Sequence, residues 1–364
     1  MKIINIVGAR PNFMKIAPIM HVMQSDNEIN PLLLHTGQHY DFSMSGSFFS
    51  ELNIPEPDIN LEVGSMNHAK QVASIMKKFD DVCEEIKPDA ILVVGDVNST
   101  MACSLVAVKR GIKVIHVEAG IRSFDRSMPE EINRLVTDSV ANLLLPPSKD
   151  AVANLLNEGH DKDKIEMVGN IMIDTLLNSQ QKIHQSDILK ELQLNGKRFV
   201  TLTLHRPSNV DNEANLRNII EALDYIQKKT EIVFPVHPRT RKMISSFGLG
   251  QQNRGMKNLK LIDPLGYFDF SKLIAESFFV LTDSGGIQEE TTVQYIPCIT
   301  LRNNTERPVT VSIGTNELAG SDTARIVKLA DNIFEDNWKN GGIPEMWDGK
   351  TSSRIVKAVK THLS

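Results

Sequence analysis

Short apolar runs of strand length alternate with longer stretches of helical period, and that alternation leaves few folds open. In the first half the runs are Ile3–Val7, Pro31–His35, Ala90–Val94, Lys113–Val117 and Leu143–Leu145. Helical patterns fall between them, at Phe13–Met23, His68–Ile86, Ser99–Lys109, Glu130–Ala141 and Asp150–Glu158. Near-continuous apolar strands separated by helices imply a parallel sheet covered on both faces. A second series follows the polar stretch Gln180–Lys197, with runs at Phe199–Leu204, Glu231–Val236, Leu259–Ile262, Phe278–Leu281 and Cys298–Leu301. Two such series predict an α/β protein of two doubly wound domains facing each other across a cleft. We place them at residues 1–175 and 176–364, with the boundary near 170–185. The C-terminal helix, Ser352–Leu363, carries Ile355, Val359 and Leu363 on one face and either closes the second domain or packs back on the first.

Composition narrows the partners. The length of 364 residues suits two cores, and 41% hydrophobic with 23% charged residues is ordinary for a globular chain. A net charge of −5 gives no basic excess, which argues against nucleic acid as a partner. Cys83, Cys103 and Cys298 lie far apart without a C-x-x-C pair, so they read as buried thiols in a reducing compartment, with no zinc site and no disulfide framework. No apolar run approaches the ~18 residues of a membrane span, and the first residues do not form a signal peptide. A cytoplasmic protein acting on a small molecule is expected, with no membrane, metal or cofactor.

Three carboxylate-bearing loops follow one another: Gly95-Asp96-Val97-Asn98-Ser99-Thr100, His116-Val117-Glu118-Ala119-Gly120-Ile121-Arg122-Ser123 and Pro129-Glu130-Glu131-Ile132-Asn133-Arg134. The first two cap strand candidates, and loops at the carboxyl ends of parallel strands meet in one crevice. Carboxylates gathered beside Arg and Lys suit proton transfer on an anionic substrate. The first strand runs into Gly8-Ala9-Arg10-Pro11-Asn12-Phe13-Met14-Lys15, which is neither a Walker loop nor G-x-G-x-x-G. Arg10 and Lys15 gain nothing from the dipole at a helix start, which favours a functional reading of both.

The second half carries Thr282-Asp283-Ser284-Gly285-Gly286-Ile287-Gln288-Glu289-Glu290 after a strand. Ser284 is placed to N-cap the helix, Gly285 and Gly286 let a phosphate approach the free amides, and Glu290 lies about two turns in, within reach of ribose hydroxyls. Further strand-end loops hold His205-Arg206-Pro207, His237-Pro238-Arg239 and Arg302-Asn303-Asn304-Thr305-Glu306-Arg307-Pro308. The histidine spacing matches no zinc motif.

These motifs together resemble the non-hydrolysing UDP-N-acetylglucosamine 2-epimerases, a family with two Rossmann-like domains in the GT-B architecture. The resemblance rests on GARPNFMK at 8–15, GDVNST at 95–100, HVEAGIRS at 116–123, MPEEINR at 128–134, LHRPSN at 204–209, PVHP at 235–238, TDSGGIQEE at 282–290 and NNTERP at 303–308. It implies that Arg10, Lys15, Asp96, Glu118, Glu130 and His205 surround the reacting sugar. It implies that Arg10, His237, Ser284, Gly285, Gly286 and Glu290 hold UDP, with Arg134 and Arg307 in support. A homodimer that needs no cofactor and supplies ManNAc units for surface polysaccharide is also implied. Two segments depart from the family. The histidine loop reads His205-Arg206-Pro207-Ser208-Asn209 where many members have His-Arg-Arg-Glu-Asn, which bears on the exact sugar. Gln38-His39-Tyr40-Asp41 with Gly64-Ser65-Met66-Asn67-His68 departs from members activated by a second UDP-GlcNAc.

The family's route is loss of UDP from C1 to give a 2-acetamidoglucal, then re-addition on the other face of C2. As the C1–O bond breaks, positive charge grows on the ring and the C2 hydrogen becomes acidic, so one carboxylate can stabilise the cation while another takes the proton. We expect Asp96 and Glu118 to flank C2, with Glu130 orienting the sugar or sharing the proton. The alternatives are a C2 epimerase of a modified UDP-HexNAc (a diacetamido-uronic acid or 6-deoxy sugar), a GT-B glycosyltransferase, a hydrolysing epimerase and a silent sugar-nucleotide sensor. A carboxylated sugar would call for another cation, with Arg206, Arg239 and Arg302 as candidates.

Overall fold

The computed structural model describes residues 1–37, 56–250 and 255–363. Within them the chain divides into two compact units, residues 1–178 with 345–364, and residues 179–344. Each is built on a parallel six-stranded sheet with helices on its faces.

The first sheet contains β1 (Lys2–Val7), β2 (Asn30–His35), β3 (Ile59–Asn60), β4 (Ala90–Val94), β5 (Lys113–Val117) and β6 (Leu143–Leu145) in the order β3-β2-β1-β4-β5-β6. The direction of winding reverses at β1, so the loops after β1 and β4 open beside each other at the switch point, where doubly wound folds place their ligands. β4 and β6 are buried at every position, as a strand covered on both faces must be. The core joins Ile4, Ile6, Ile91, Val93 and Val114 on the strands to Ile75 and Phe79 of the helix His68–Ile86.

The second sheet contains β7 (Phe199–Thr203), β8 (Glu231–Pro235), β9 (Leu259–Ile262), β10 (Phe279–Thr282), β11 (Cys298–Thr300) and β12 (Asn316–Leu318) in the order β12-β11-β10-β7-β8-β9. Here the switch lies between β7 and β10, which pair in register from Phe279 with Val200 to Thr282 with Thr203. The two-residue β3 and the three-residue β12 at the sheet edges are additions to the strands expected from apolar runs. The polar stretch after residue 179 forms two short helices, Gln180–His184 and Ile188–Glu191.

The C-terminal helix Thr351–Leu363 belongs to the first unit, packing on the helices Arg10–Gln24 and Ile171–Asn178. Ile355 and Val359 are fully buried there. The buried Asp174 accepts the amides of Thr351 at 3.0 Å and Ser352 at 2.7 Å, satisfying the free N–H groups at the helix start. All three cysteines are buried. Among the described residues no helix is long and apolar enough to cross a membrane.

Candidate functional site

In the first unit the carboxyl ends of β1, β4 and β5 converge. Glu118 follows β5 directly, anchored by its amide to Leu145 O at 3.0 Å, and takes a left-handed φ of 69°. Lys15 lies in the second turn of the helix Arg10–Gln24, and its Nζ is 2.5 Å from Glu118 Oε2. Both residues are nearly enclosed, at 9% and 5% exposure. Among the described residues, Glu118 Oε1 is buried without a hydrogen-bond partner. A buried carboxylate oxygen left unpaired carries a free-energy cost that native cores avoid, so such an atom marks a functional position. Gly95, which directly follows β4, has φ 72°; a Cβ there would stand 3.2 Å from Lys15 Nζ and 3.4 Å from Glu118 Oε2. The bare glycine is what lets the pair form beside the chain.

Asp96, half-buried, is held by Arg134, whose Nε and Nη2 donate to Oδ2 at 3.1 and 2.8 Å. Arg134 also donates from Nη1 to Glu131 at 2.7 Å. Glu131 accepts in addition from the Ser123 amide and hydroxyl and from the Phe124 amide, so it ties the loop after β5 to the helix Pro129–Val140. Glu130, its neighbour, is half-buried in the first turn of that helix. Arg10 opens the helix Arg10–Gln24, and its side chain lies outside the described structure, as do Gln38 to Asp41.

A second layer supports these groups. Asn12 donates to Val94 O at 2.9 Å and accepts the Ala9 amide, tying the loop after β1 to the end of β4. His116, fully buried, lies between Asp138 at 2.5 Å and Gly95 O at 2.9 Å. Burial pushes the Asp138 carboxyl up, but His116 and Arg122 outweigh it and hold it below its ordinary value.

In the second unit the helix Gly285–Val293 begins at the end of β10 with no acidic side chain in its first turn. Its free amides and dipole are therefore uncompensated, an arrangement suited to an anion. Ser284 occupies the N-cap position, but its side chain makes no capping bond, contrary to the role expected for it. Its amide is taken by Thr282 Oγ1 at 3.0 Å, which sets the turn instead. The glycines divide the expected task. A Cβ on Gly285 would be 3.4 Å from Arg307 Nε, whereas one on Gly286 meets nothing within 4 Å. Gly285 thus makes room for Arg307, which donates to Glu289 at 2.9 Å, and Gly286 leaves the helix start open.

His205 and His237 lie in the loops that follow β7 and β8. His205 is exposed, its amide donating to Asp283 and its Nδ1 lying 2.9 Å from Asp283 Oδ1. His237 caps the helix Pro238–Ser246, its Nδ1 accepting the Arg239 amide at 3.2 Å. Partial burial, then the nearby His205 and Arg239, lowers the His237 pKa. Glu290, almost fully buried, has its carboxyl raised to about 8 by burial and by the adjacent Glu289. Of the arginines considered for a carboxylated sugar, Arg239 is bound to Asp211 and Arg302 makes a two-pronged pair with Glu306. Arg206 lies 3.9 Å from Glu306.

Asn12, Glu131, His116, Asp138 and Asp283 were not singled out by sequence. Each is buried and polar within a quoted motif or on a neighbouring helix, and that pattern was the available signal.

The profile of the UDP-N-acetylglucosamine 2-epimerase family matches residues 21–360. The UDP-N-acetylglucosamine 2-epimerase homolog of Methanococcus maripaludis is 46% identical over 363 residues, 99% of each chain. A Pseudomonas aeruginosa protein, UDP-2,3-diacetamido-2,3-dideoxy-D-glucuronate 2-epimerase, is 38% identical over 98% of this chain and 99% of its own. The crystal structure of the Methanocaldococcus jannaschii UDP-GlcNAc 2-epimerase in complex with UDP-GlcNAc and UDP superposes with a TM-score of 0.89 at 40% identity, covering 99% of this chain and 100% of that one. Its neighbours mark this as a GT-B-type α/β fold, and the chain belongs to the UDP-N-acetylglucosamine 2-epimerase family.

Proposed function

We propose that the protein interconverts UDP-GlcNAc and UDP-ManNAc without net hydrolysis, by elimination of UDP and its re-addition. The observation that carries this reading is Glu118, enclosed, paired with Lys15 through one oxygen and, among the described residues, with no partner for the other. That oxygen is available to take the C2 proton, while Lys15 steadies the carboxylate. Asp96, on the adjacent strand end, serves C2 from the other side, and Glu130 orients the sugar. The residues after β1, β4 and β5 act on the sugar. Arg10, His205, His237, Arg307, Glu290 and the start of the helix Gly285–Val293 hold UDP and its growing negative charge. The C1–O electron pair leaves with the β-phosphate, the C2 hydrogen leaves as a proton, and a C1=C2 double bond forms; re-addition reverses these steps on the other face. The active form is a homodimer.

A second reading is favoured by the likeness to the Pseudomonas aeruginosa diacetamido-glucuronate epimerase. A uronic acid carboxylate would require a further cation, with Arg206, Arg239 and Arg302 as the candidates. Separate incubations with UDP-GlcNAc and with UDP-2,3-diacetamido-2,3-dideoxy-D-glucuronate, resolved by chromatography, decide between them. The first reading predicts UDP-ManNAc with little free sugar. Free ManNAc with UDP would place the chain with hydrolysing epimerases, and turnover of the uronate alone would establish the second reading.

A further inference from the structure

The exposed His205 is governed by a carboxylate that is itself out of reach of solvent. Asp283 follows β10, is 0% exposed, and is distant from His205 in sequence but adjacent across the β7–β10 pair. Its oxygens accept the His205 amide at 3.0 and 3.2 Å, the Arg206 amide at 2.8 Å and Asn209 Nδ2 at 3.2 Å. Asn209 is pinned in turn to Leu301 O at 2.8 Å. The same carboxylate faces His205 Nδ1 at 2.9 Å. One buried group therefore holds the main chain of His205 by hydrogen bonds and lies within ion-pair distance of its ring. The His205 side chain is 44% exposed, in contrast with the fully enclosed acid.

We propose that Asp283 is a positioning residue that keeps the proton of His205 on Nδ1 and so presents Nε2 to the departing β-phosphate. A carboxylate against one imidazole nitrogen selects the tautomer with that nitrogen protonated, and it stabilises the imidazolium when Nε2 is protonated as well. With both nitrogens protonated, Nε2–H donates to the bridging oxygen as the C1–O bond breaks and its electron pair passes to the phosphate. In re-addition the same hydrogen bond holds the phosphate for attack on C1. His205 ends each half-reaction in the state in which it began, so the cycle needs no outside acid. The role of Nε2 rests on the epimerase reading; the pairing with Asp283 does not.

The test is nitrogen NMR of protein labelled with 15N-histidine, with the His205 signals assigned by their loss in His205→Gln. The wild-type protein is expected to show a protonated Nδ1 in both charge states of the ring. A neutral ring with the proton on Nε2 and a bare Nδ1 would overturn the proposal, and this measurement stands even if Asp283→Asn fails to fold. A folded Asp283→Asn is expected to lose the Nδ1–H preference and to lower kcat on the order of 10²- to 10⁴-fold, with KM changed much less. Wild-type kcat in that variant, or a loss confined to KM, would also overturn it. Should the protein fail to turn over UDP-GlcNAc at all, the ring-nitrogen signals still decide the pairing and separate that failure from this one.

Discussion

Arg134 holds Asp96 from one side, with Nε and Nη2 both directed at Oδ2, and spends its remaining amine on Glu131. One guanidinium thus links the loop after β4 to the acid that gathers the loop after β5. Only a planar fork can serve both carboxylates at once.

Arg134→Leu would leave the buried Glu131 charge uncompensated and Asp96 unrestrained. We expect a loss of about 3 kcal/mol in stability and a kcat lower on the order of 10²-fold. Arg134→Lys restores charge without the fork and should fall between. Denaturant melts beside steady-state rates check this; wild-type kcat in the Leu variant would remove Arg134 from the account.

Gly95 gives a sharper separation. Its left-handed backbone makes any Cβ unfavourable by ~1–2 kcal/mol, and that Cβ would press on the Lys15–Glu118 pair. Gly95→Ala is therefore expected to cost that stability and, by displacing the pair, to lower kcat about 10²-fold. A variant destabilised but fully active would show that the spacing of Lys15 and Glu118 is unimportant to turnover.

The opposite pattern is expected at Gly286, whose helical position is open. Gly286→Ala should leave the melting temperature unchanged or raise it, since alanine is favoured over glycine in a helix by up to ~1 kcal/mol. If UDP rests its phosphates on this helix start, the added methyl should weaken UDP binding about tenfold or more, read by calorimetry. Unchanged affinity would move the phosphates elsewhere.

Glu290 makes stability depend on pH. Its carboxyl is raised from an ordinary 4.5 to about 8 in the folded protein, so between those values the folded chain binds the extra proton. The contribution is complete below about 4.5 and lost as pH rises through about 8, with a slope of at most ~1.4 kcal/mol per pH unit. His35, lowered by burial to about 4, acts with the opposite sign between that value and its ordinary 6.5. The informative quantity is accordingly the difference between wild type and Glu290→Gln across pH 5 to 8. A difference independent of pH would mean that Glu290 is ionised in the fold.

The core strands were legible because a strand covered on both faces is written as a continuous apolar run, as in Ala90–Val94. Ile59–Asn60 and Asn316–Leu318 escaped because an edge strand of two or three residues with polar members has no such signature. The sequence pattern identified the amphipathic face of the C-terminal helix but not its docking, which depends on Asp174, distant in the chain. In the motif Pro129-Glu130-Glu131, adjacent acids look equivalent; the helix turns Glu131 inward to Ser123 and leaves Glu130 half-exposed. Asp283 was hidden for a related reason, since its partners lie on a strand adjacent in space and remote in sequence. Strand-end position picked out the groups proposed to react, while the residues that hold them in place became identifiable only through their contacts.

Proton exchange at C2 without net loss of the nucleotide is tested most directly by proton NMR of the purified protein with UDP-GlcNAc in D2O. UDP-ManNAc carrying deuterium at C2 is expected, with deuterium entering the C2 position of the remaining UDP-GlcNAc and little free sugar. UDP-ManNAc that retains its original C2 hydrogen would contradict it.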